Sequence, residues 1–180
     1  MAFFVIKGDI HAGKTTYAKN IADMLMENGY KIGGFLSIGK FENDRRSEFN
    51  ILSLDDRQRQ KLAIRGNIES DENTFFFGSY TFFEAGFSFA EKVYKRSVKN
   101  TYDFIFIDEV GIMELNKQGF YKLIENVDNN INLIIVSRAK FLDKVNSTFF
   151  NNSLIILDIN NSLIDNYNLL VSNKNKGSIL

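Results

Sequence analysis

Gly8-Asp9-Ile10-His11-Ala12-Gly13-Lys14-Thr15 matches the pattern G-x-x-x-x-G-K-[ST], and the reading of the whole chain turns on it. At average composition such a string arises by chance in a chain of this length on the order of once in a hundred. Its setting agrees with the pattern. The apolar run Ala2 to Lys7 (AFFVIK) precedes it as a strand, and Thr15 to Asn28 follows with Ala18, Ile21, Ala22 and Leu25 at helical spacing, stopped by Gly29. Glycines at both ends let the backbone turn until its N–H groups converge, and the helix that begins near Lys14 adds the positive end of its dipole. The result is a cradle for phosphate oxygens. Lys14 is placed to reach the β and γ phosphates, and the Thr15 hydroxyl to ligate Mg²⁺. Gly8, Asp9, Ile10, His11, Ala12, Gly13, Lys14, Thr15 and Thr16 are therefore expected to bind nucleotide. His11 fills one of the four positions the pattern leaves open, which makes it an incidental contact and not a proton shuttle.

Outward from this loop, short apolar runs alternate with longer helix-period stretches. That alternation specifies an α/β chain with a mostly parallel sheet flanked by helices, built on the phosphate loop. Lys31 to Ile38 and Glu48 to Leu54 read as strands joined across FENDRR, an added antiparallel hairpin. Arg57 to Phe83 is rich in turn residues and aromatics and specifies no element clearly. Phe83 to Val98 reads as a helix, Asp103 to Ile107 as a buried strand and Asn116 to Asn126 as a helix. Asn132 to Ser137, Leu154 to Ile159 and Leu163 to Val171 follow as strand, strand and helix. The 180 residues suit one domain over 1–172, with 173–180 expected to be a mobile tail.

A second motif is Phe104-Ile105-Phe106-Ile107-Asp108-Glu109. Four apolar residues of a strand buried on both faces end in two carboxylates, at the edge where a parallel sheet meets its ligand. Asp108 fits the Walker B role of holding the Mg²⁺ shell with Thr15, and Glu109 is placed to take a proton from an attacking water. Gly111, just beyond, joins the expected nucleotide-binding set. Charge for the γ-phosphate would come from Arg138, which follows the strand ending at Ser137, or from Arg46; Arg45 and Lys140 are weaker candidates. Arg138 ranks first because its strand should end on the same sheet edge as Asp108. The clustered Phe75, Phe76, Phe77, Phe82, Phe83, Phe87 and Phe89 read as core filler, since the chain holds 18 phenylalanines and no tryptophan.

Composition excludes other chemistries. There are no cysteines and one histidine, so thiol catalysis, disulfides and cysteine or histidine zinc clusters are ruled out. Lys+Arg and Asp+Glu balance at 22 each, which argues against a basic nucleic-acid-binding face. The first apolar run is far too short for a membrane span, so a cytoplasmic protein without a membrane partner is expected; a protein partner is not specified.

The segment DEVGIMELNKQGF, Asp108 to Phe120, resembles the DEIG-x-MEL signature of the thermophile-type P-loop nucleoside-triphosphatase family. GGFLS (Gly33 to Ser37), RRSEFNILSLD, FGSY (Gly78, Tyr80) and FLDKV near Phe141 resemble further family segments, so the likeness runs through most of the chain. Glu48-Phe49 stands where members usually carry a glycine-phenylalanine pair. The resemblance implies hydrolysis of several nucleoside triphosphates (ATP, GTP, CTP, UTP) with Mg²⁺ on a RecA-like core. Alternatives are a small-molecule kinase using the same site or a nucleotide-gated switch. A guanine-reading N-K-x-D is missing: Asn116-Lys117-Gln118-Gly119 lacks the aspartate.

Overall fold

The structure, a computed structural model, describes residues 2–43, 45–68, 73–125, 127 and 130–174. In chain order the elements are β1 (Phe3–Gly8), α1 (Lys14–Glu27), β2 (Ile32–Glu42), β3 (Arg45–Ser53), β4 (Arg59–Arg65), β5 (Thr74–Phe77), β6 (Tyr80–Phe83) and α2 (Glu84–Lys99). They continue with β7 (Phe104–Val110), α3 (Ile112–Leu115), α4 (Tyr121–Glu125), β8 (Leu133–Arg138), a 3-10 turn (Ala139–Phe141), α5 (Leu142–Phe149), β9 (Ile155–Asp158) and α6 (Leu163–Asn173).

Among the described residues the strands form one nine-stranded sheet in the order β5-β6-β4-β3-β2-β7-β8-β1-β9. From β2 to β9 every neighbouring pair is parallel, and from β2 to β5 every pair is antiparallel. The expected parallel P-loop architecture is present. The expected hairpin is its first step only, because β4, β6 and β5 continue it through the stretch that sequence left unassigned.

Side chains of a strand alternate between faces, so the central strands supply two cores at once. Phe4 and Ile6, Phe104 and Phe106, and Ile134 and Val136 meet Ala18, Ile21 and Leu25 of α1 and Leu170 of α6. Val5, Ile105 and Ile107, and Leu133 and Ile135 face the other way, against Ala90 and Val93 of α2 and Val145 of α5. Burying each large side chain is worth roughly 1.5–3 kcal/mol, and in these strands almost none is wasted on solvent. The parallel order β7-β8-β1 leaves the carboxyl ends of these strands side by side, which positions the site.

Of the helix expected over Asn116 to Asn126, only the later part is helical as α4 (Tyr121–Glu125), and α3 (Ile112–Leu115) ends before it. Lys117 and Gly119 take φ of 59° and 60°, left-handed conformations that end α3 and delay α4 until Tyr121; Asn126 lies outside the described residues. Of the expected tail, Asn173 closes α6 and Lys174 reaches Asp103 at 2.5 Å, while 175–180 lie outside the described residues. No helix among the described residues is long and apolar enough to cross a membrane.

Gly34 is required where β2 crosses β7. Its φ is +81°, and a Cβ there would overlap the backbone carbonyl of Phe106. Its N–H donates to Ser97 Oγ of α2 at 2.9 Å, and that hydroxyl in turn donates to Val93 O at 2.8 Å. Gly34→Ala should therefore cost about 3 kcal/mol or more, combining backbone strain with a displaced central strand. Urea denaturation measures it, and a midpoint equal to that of the wild type would contradict this account.

Candidate active site

β1 runs into the loop at Gly8 and α1 leaves it at Gly13, whose φ of +83° only glycine adopts readily. Ile10, His11 and Thr16 are exposed on the loop and the first helical turn. The Lys14 ammonium donates to Asp9 O at 2.6 Å, so the lysine lies folded back on its own loop. Burial pulls the Lys14 pKa down, while the nearby Glu109 carboxylate works against that shift.

Asp108 is 1% exposed, and its carboxylate accepts three hydrogen bonds. Thr15 Oγ1 donates to Oδ2 at 2.9 Å and the Ser37 N–H to the same oxygen at 3.0 Å; the Glu109 N–H donates to Oδ1 at 2.7 Å. Even with these donors, burial and then the charge of Glu109 push its pKa up to about 7. A buried carboxylate in that state calls for positive charge. The pairing of a threonine hydroxyl with a carboxylate is an oxygen donor set suited to a hard divalent cation such as Mg²⁺, which takes one or two carboxylates and completes its shell elsewhere.

Glu109 sits where the β7–β8 register shifts between Ile107 and Val110, and its φ is +60°. A bulge of this kind re-aims a side chain and stores strain at a working site. The carboxylate is met by two arginines. Arg46 Nη1 contacts Oε1 at 3.0 Å, and Arg138 Nη2 lies 4.0 Å from Oε2. Both expected arginines thus reach Glu109, and the closer contact is made by Arg46. Its guanidinium lies over Phe49 (4.6 Å) and Phe41 (5.3 Å), and a Cβ on Gly39 would strike its Nε, so the glycine leaves room for the side chain. Arg45 is exposed at the start of β3, and Lys140 is exposed over the Phe141 ring. Glu48 turns to Lys61 at 3.5 Å, which leaves the adjacent Phe49 free to carry the arginine.

A family model described as NTPase matches residues 3–166. The chain belongs to the NTPase family. Nucleoside-triphosphatase THEP1 of Methanocaldococcus jannaschii is 34% identical over 123 residues, covering 68% of this chain and 69% of that protein. The protein of the same name from Saccharolobus solfataricus is 33% identical over 125 residues, 69% of each chain. That of Sulfurisphaera tokodaii is 28% identical over 173 residues, 93% of this chain and 94% of its own. The solution structure of a human cancer-related nucleoside triphosphatase matches over 100% of both chains with a TM-score of 0.68 at 17% identity, a likeness of fold. The motif resemblance at Asp108 to Phe120 pointed to this same family.

Within that signature segment, Gly111 and Glu114 do structural work. Glu114 is 2% exposed, and its carboxylate accepts from the Gly111 N–H at 2.8 Å and the Phe120 N–H at 3.0 Å, fixing the turn that follows β7. Burial raises its pKa. Sequence reading did not reach Ser37, Phe41 or Phe49 as site residues, because each acts through a contact made across strands. The aromatic cluster is split: Phe82, Phe87 and Phe89 pack against the core, whereas Phe76 is 49% exposed.

Glu114→Ala strands two N–H donors, so it should destabilise the protein by about 2–4 kcal/mol. Glu114→Gln, whose amide nitrogen must face one of those donors, should fall between the alanine variant and the wild type. Urea denaturation of the three proteins tests this, and equal midpoints would remove Glu114 as the anchor of the turn.

Proposed function

We propose that this chain is a Mg²⁺-dependent nucleoside-triphosphatase of low base selectivity, hydrolysing ATP, GTP, CTP and UTP to the diphosphate and phosphate. The carrying observation is the meeting of Thr15 and Asp108 at 2.9 Å with Glu109 next in the chain, at the mouth of a glycine-bounded loop. The name nucleoside-triphosphatase borne by the archaeal relatives supports the reaction. In this reading residues 8–16 wrap the phosphates, with backbone N–H groups and the start of α1 supplying positive potential. Lys14 exchanges Asp9 O for phosphate oxygens. Thr15 and Asp108 would hold Mg²⁺, which when bound neutralises charge on the β and γ phosphates.

Glu109 is the base. Its carboxylate orients a water and takes a proton as the water oxygen attacks the γ-phosphorus, and the bond to the bridging oxygen breaks to release the diphosphate. The guanidinium groups of Arg46 and Arg138 lie against that carboxylate, close enough to transfer part of their charge to the γ-phosphate as it enters. Every motif found reads phosphate or metal and none reads a base edge, hence the low selectivity. The reading includes a single P-loop domain over 1–172, a cytoplasmic location, a nucleoside triphosphate as partner and no nucleic acid or membrane.

Phosphate release across the four triphosphates, with and without Mg²⁺, tests the reading. Turnover should be Mg²⁺-dependent and lie within about tenfold across the bases, about 1.4 kcal/mol of discrimination. Glu109→Gln should lose about 10² or more in turnover at nearly constant affinity, and Lys14→Ala should lose the melting-temperature gain from nucleotide. Hydrolysis by the Gln variant at the wild-type rate would move the base elsewhere.

The two arginines should separate under saturating nucleotide. An arginine that neutralises the transition state is worth about 10³ or more in rate. Arg46→Ala is expected to show the larger fall in turnover and Arg138→Ala the smaller. No fall in either would leave transition-state charge to Lys14 and the cation.

A further inference from the structure

Beyond Glu109 the structure holds a cavity of about 240 Å³ that the hydrolysis reading does not use. Its wall is largely aromatic, with Phe49, Tyr80, Phe82, Phe87 and Phe120 as its main surfaces and Met113 on the turn after β7. Phe87 and Phe120 meet at 5.3 Å and Phe49 and Tyr80 at 5.0 Å, so the rings brace one another and the wall is preformed. Glu109 and Arg138 border it, yet no residue of the phosphate loop does. It is a separate chamber that opens on the same carboxylate.

The cavity lies on the γ-phosphate side. A triphosphate held by the loop has its β and γ phosphates at Lys14 and Thr15, and Asp108 bonds to Thr15. The Glu109 carboxylate lies near enough to Lys14 for its charge to act on that ammonium, which sets it beside the γ-phosphorus, so an occupant of the chamber meets that phosphorus and not the base. Three features specify such an occupant. The aromatic wall suits a planar ring. Ser37 Oγ, on a wholly buried residue bordering the cavity, has no hydrogen-bond partner among the described residues, an orphan that a polar group of a ligand would satisfy. Of the charged side chains at the cavity, Glu114 is bonded to two backbone N–H groups, while Glu109 and Arg138 are assigned above to the attacking group and the γ-phosphate, so none is left to pair with a charge on the occupant. The ligand is thus neutral. The volume falls just short of the roughly 300 Å³ at which small-molecule pockets usually begin, which fits one ring with a short side chain and not a second nucleotide.

We infer that this cavity is an acceptor site for a neutral, single-ring alcohol, and that the protein transfers the γ-phosphoryl group to it as well as to water. The inference rests on the phosphate-loop and Glu109 assignments made above. In the transfer the acceptor's hydroxyl oxygen forms a bond to the γ-phosphorus, and the bond from that phosphorus to the β–γ bridging oxygen breaks. The hydroxyl proton passes to the Glu109 carboxylate, and the products are a phosphate monoester and the nucleoside diphosphate. No redox partner is needed. With the cavity empty of ligand, water takes the acceptor's place, so hydrolysis and transfer share one base.

The full chain incubated with ATP and Mg²⁺ in benzyl alcohol, pyridinemethanol or phenylethanol, with glycerol as the ringless control, tests this by phosphorus NMR. The expected result is a phosphate monoester from at least one ring alcohol and none from glycerol. Met113→Trp, which fills the chamber, should lower the ratio of ester to free phosphate at least about tenfold. In case that variant misfolds, the wild type supplies a second measurement: benzyl methyl ether, a ring without a hydroxyl, should suppress ester formation by competition. Free phosphate without any ester would overturn the acceptor site and leave the hydrolase reading standing. Ester formed with no phosphate released in the absence of alcohol would do the reverse. Ester from glycerol at the same rate as from the ring alcohols, or a Met113→Trp ratio unchanged in a folded variant, would overturn the aromatic cavity as the place of binding.

Discussion

The Asp108 carboxylate ties three segments of chain to one buried point. Its oxygens hold the Thr15 hydroxyl at the start of α1, the Ser37 N–H on β2 and the Glu109 N–H at the bulge of β7. Removing a carboxylate from water costs several kcal/mol unless donors replace the lost hydration, and here three donors do so. The replacement is incomplete, since burial and Glu109 still raise the Asp108 pKa to about 7. That shortfall gives the arrangement its polarity: the most buried acid of the site remains short of positive charge and lies within bonding distance of the hydroxyl that shares its proposed cation. The start of α1, the middle of β2 and the bulge at Glu109 are all tied to this group.

Around that anchor the chain spends stability on position. Glu109 in a left-handed conformation costs of order 1–3 kcal/mol. Its contact with Arg46, whose side chain is 18% exposed, is a partly solvated pair of the kind that contributes about 1 kcal/mol or less. The pair therefore does not account for the strain by itself. What holds Arg46 is the apolar bracket of Phe41 and Phe49 with Gly39 beneath, together with its backbone carbonyl, which accepts from Tyr80 OH at 3.2 Å and Arg65 Nε at 3.1 Å. A guanidinium gripped by rings and not by a second carboxylate keeps its charge available to an incoming anion.

What the sequence made legible divides along chain distance. The loop at Gly8 to Thr15 and the strand ending in Asp108-Glu109 were readable because each motif is contiguous and its chemistry needs only neighbours. The hairpin of β2 and β3 was readable for the same reason. The run FFFGSYTFF hid two strands because its aromatic residues show no alternation, and only Gly78, with φ of +64°, marks the turn between them. Lys117 hid the late start of α4, since lysine favours helices although its φ here is 59°. Arg46 was a candidate, but its closeness to Glu109 depends on where β3 lies against β2 and β7. The cavity behind Glu109 depends on more strands still, and no spacing along the chain encodes it.

The parallel half of the sheet also sets an order of assembly. Phe3 pairs with Leu133 and Phe4 with Ile155, so β1 is flanked by β8 and β9, the two strands farthest from it along the described chain. The antiparallel half joins near neighbours, as in Leu36 with Leu52 or Phe76 with Thr81, and can close early at low loop-entropy cost. During synthesis Phe3–Gly8 must therefore wait as an unpaired apolar segment until β8 emerges. A chain cut short before residue 133 would carry the whole motif without either of the strands that pair with β1 and hold the start of the phosphate loop in the sheet.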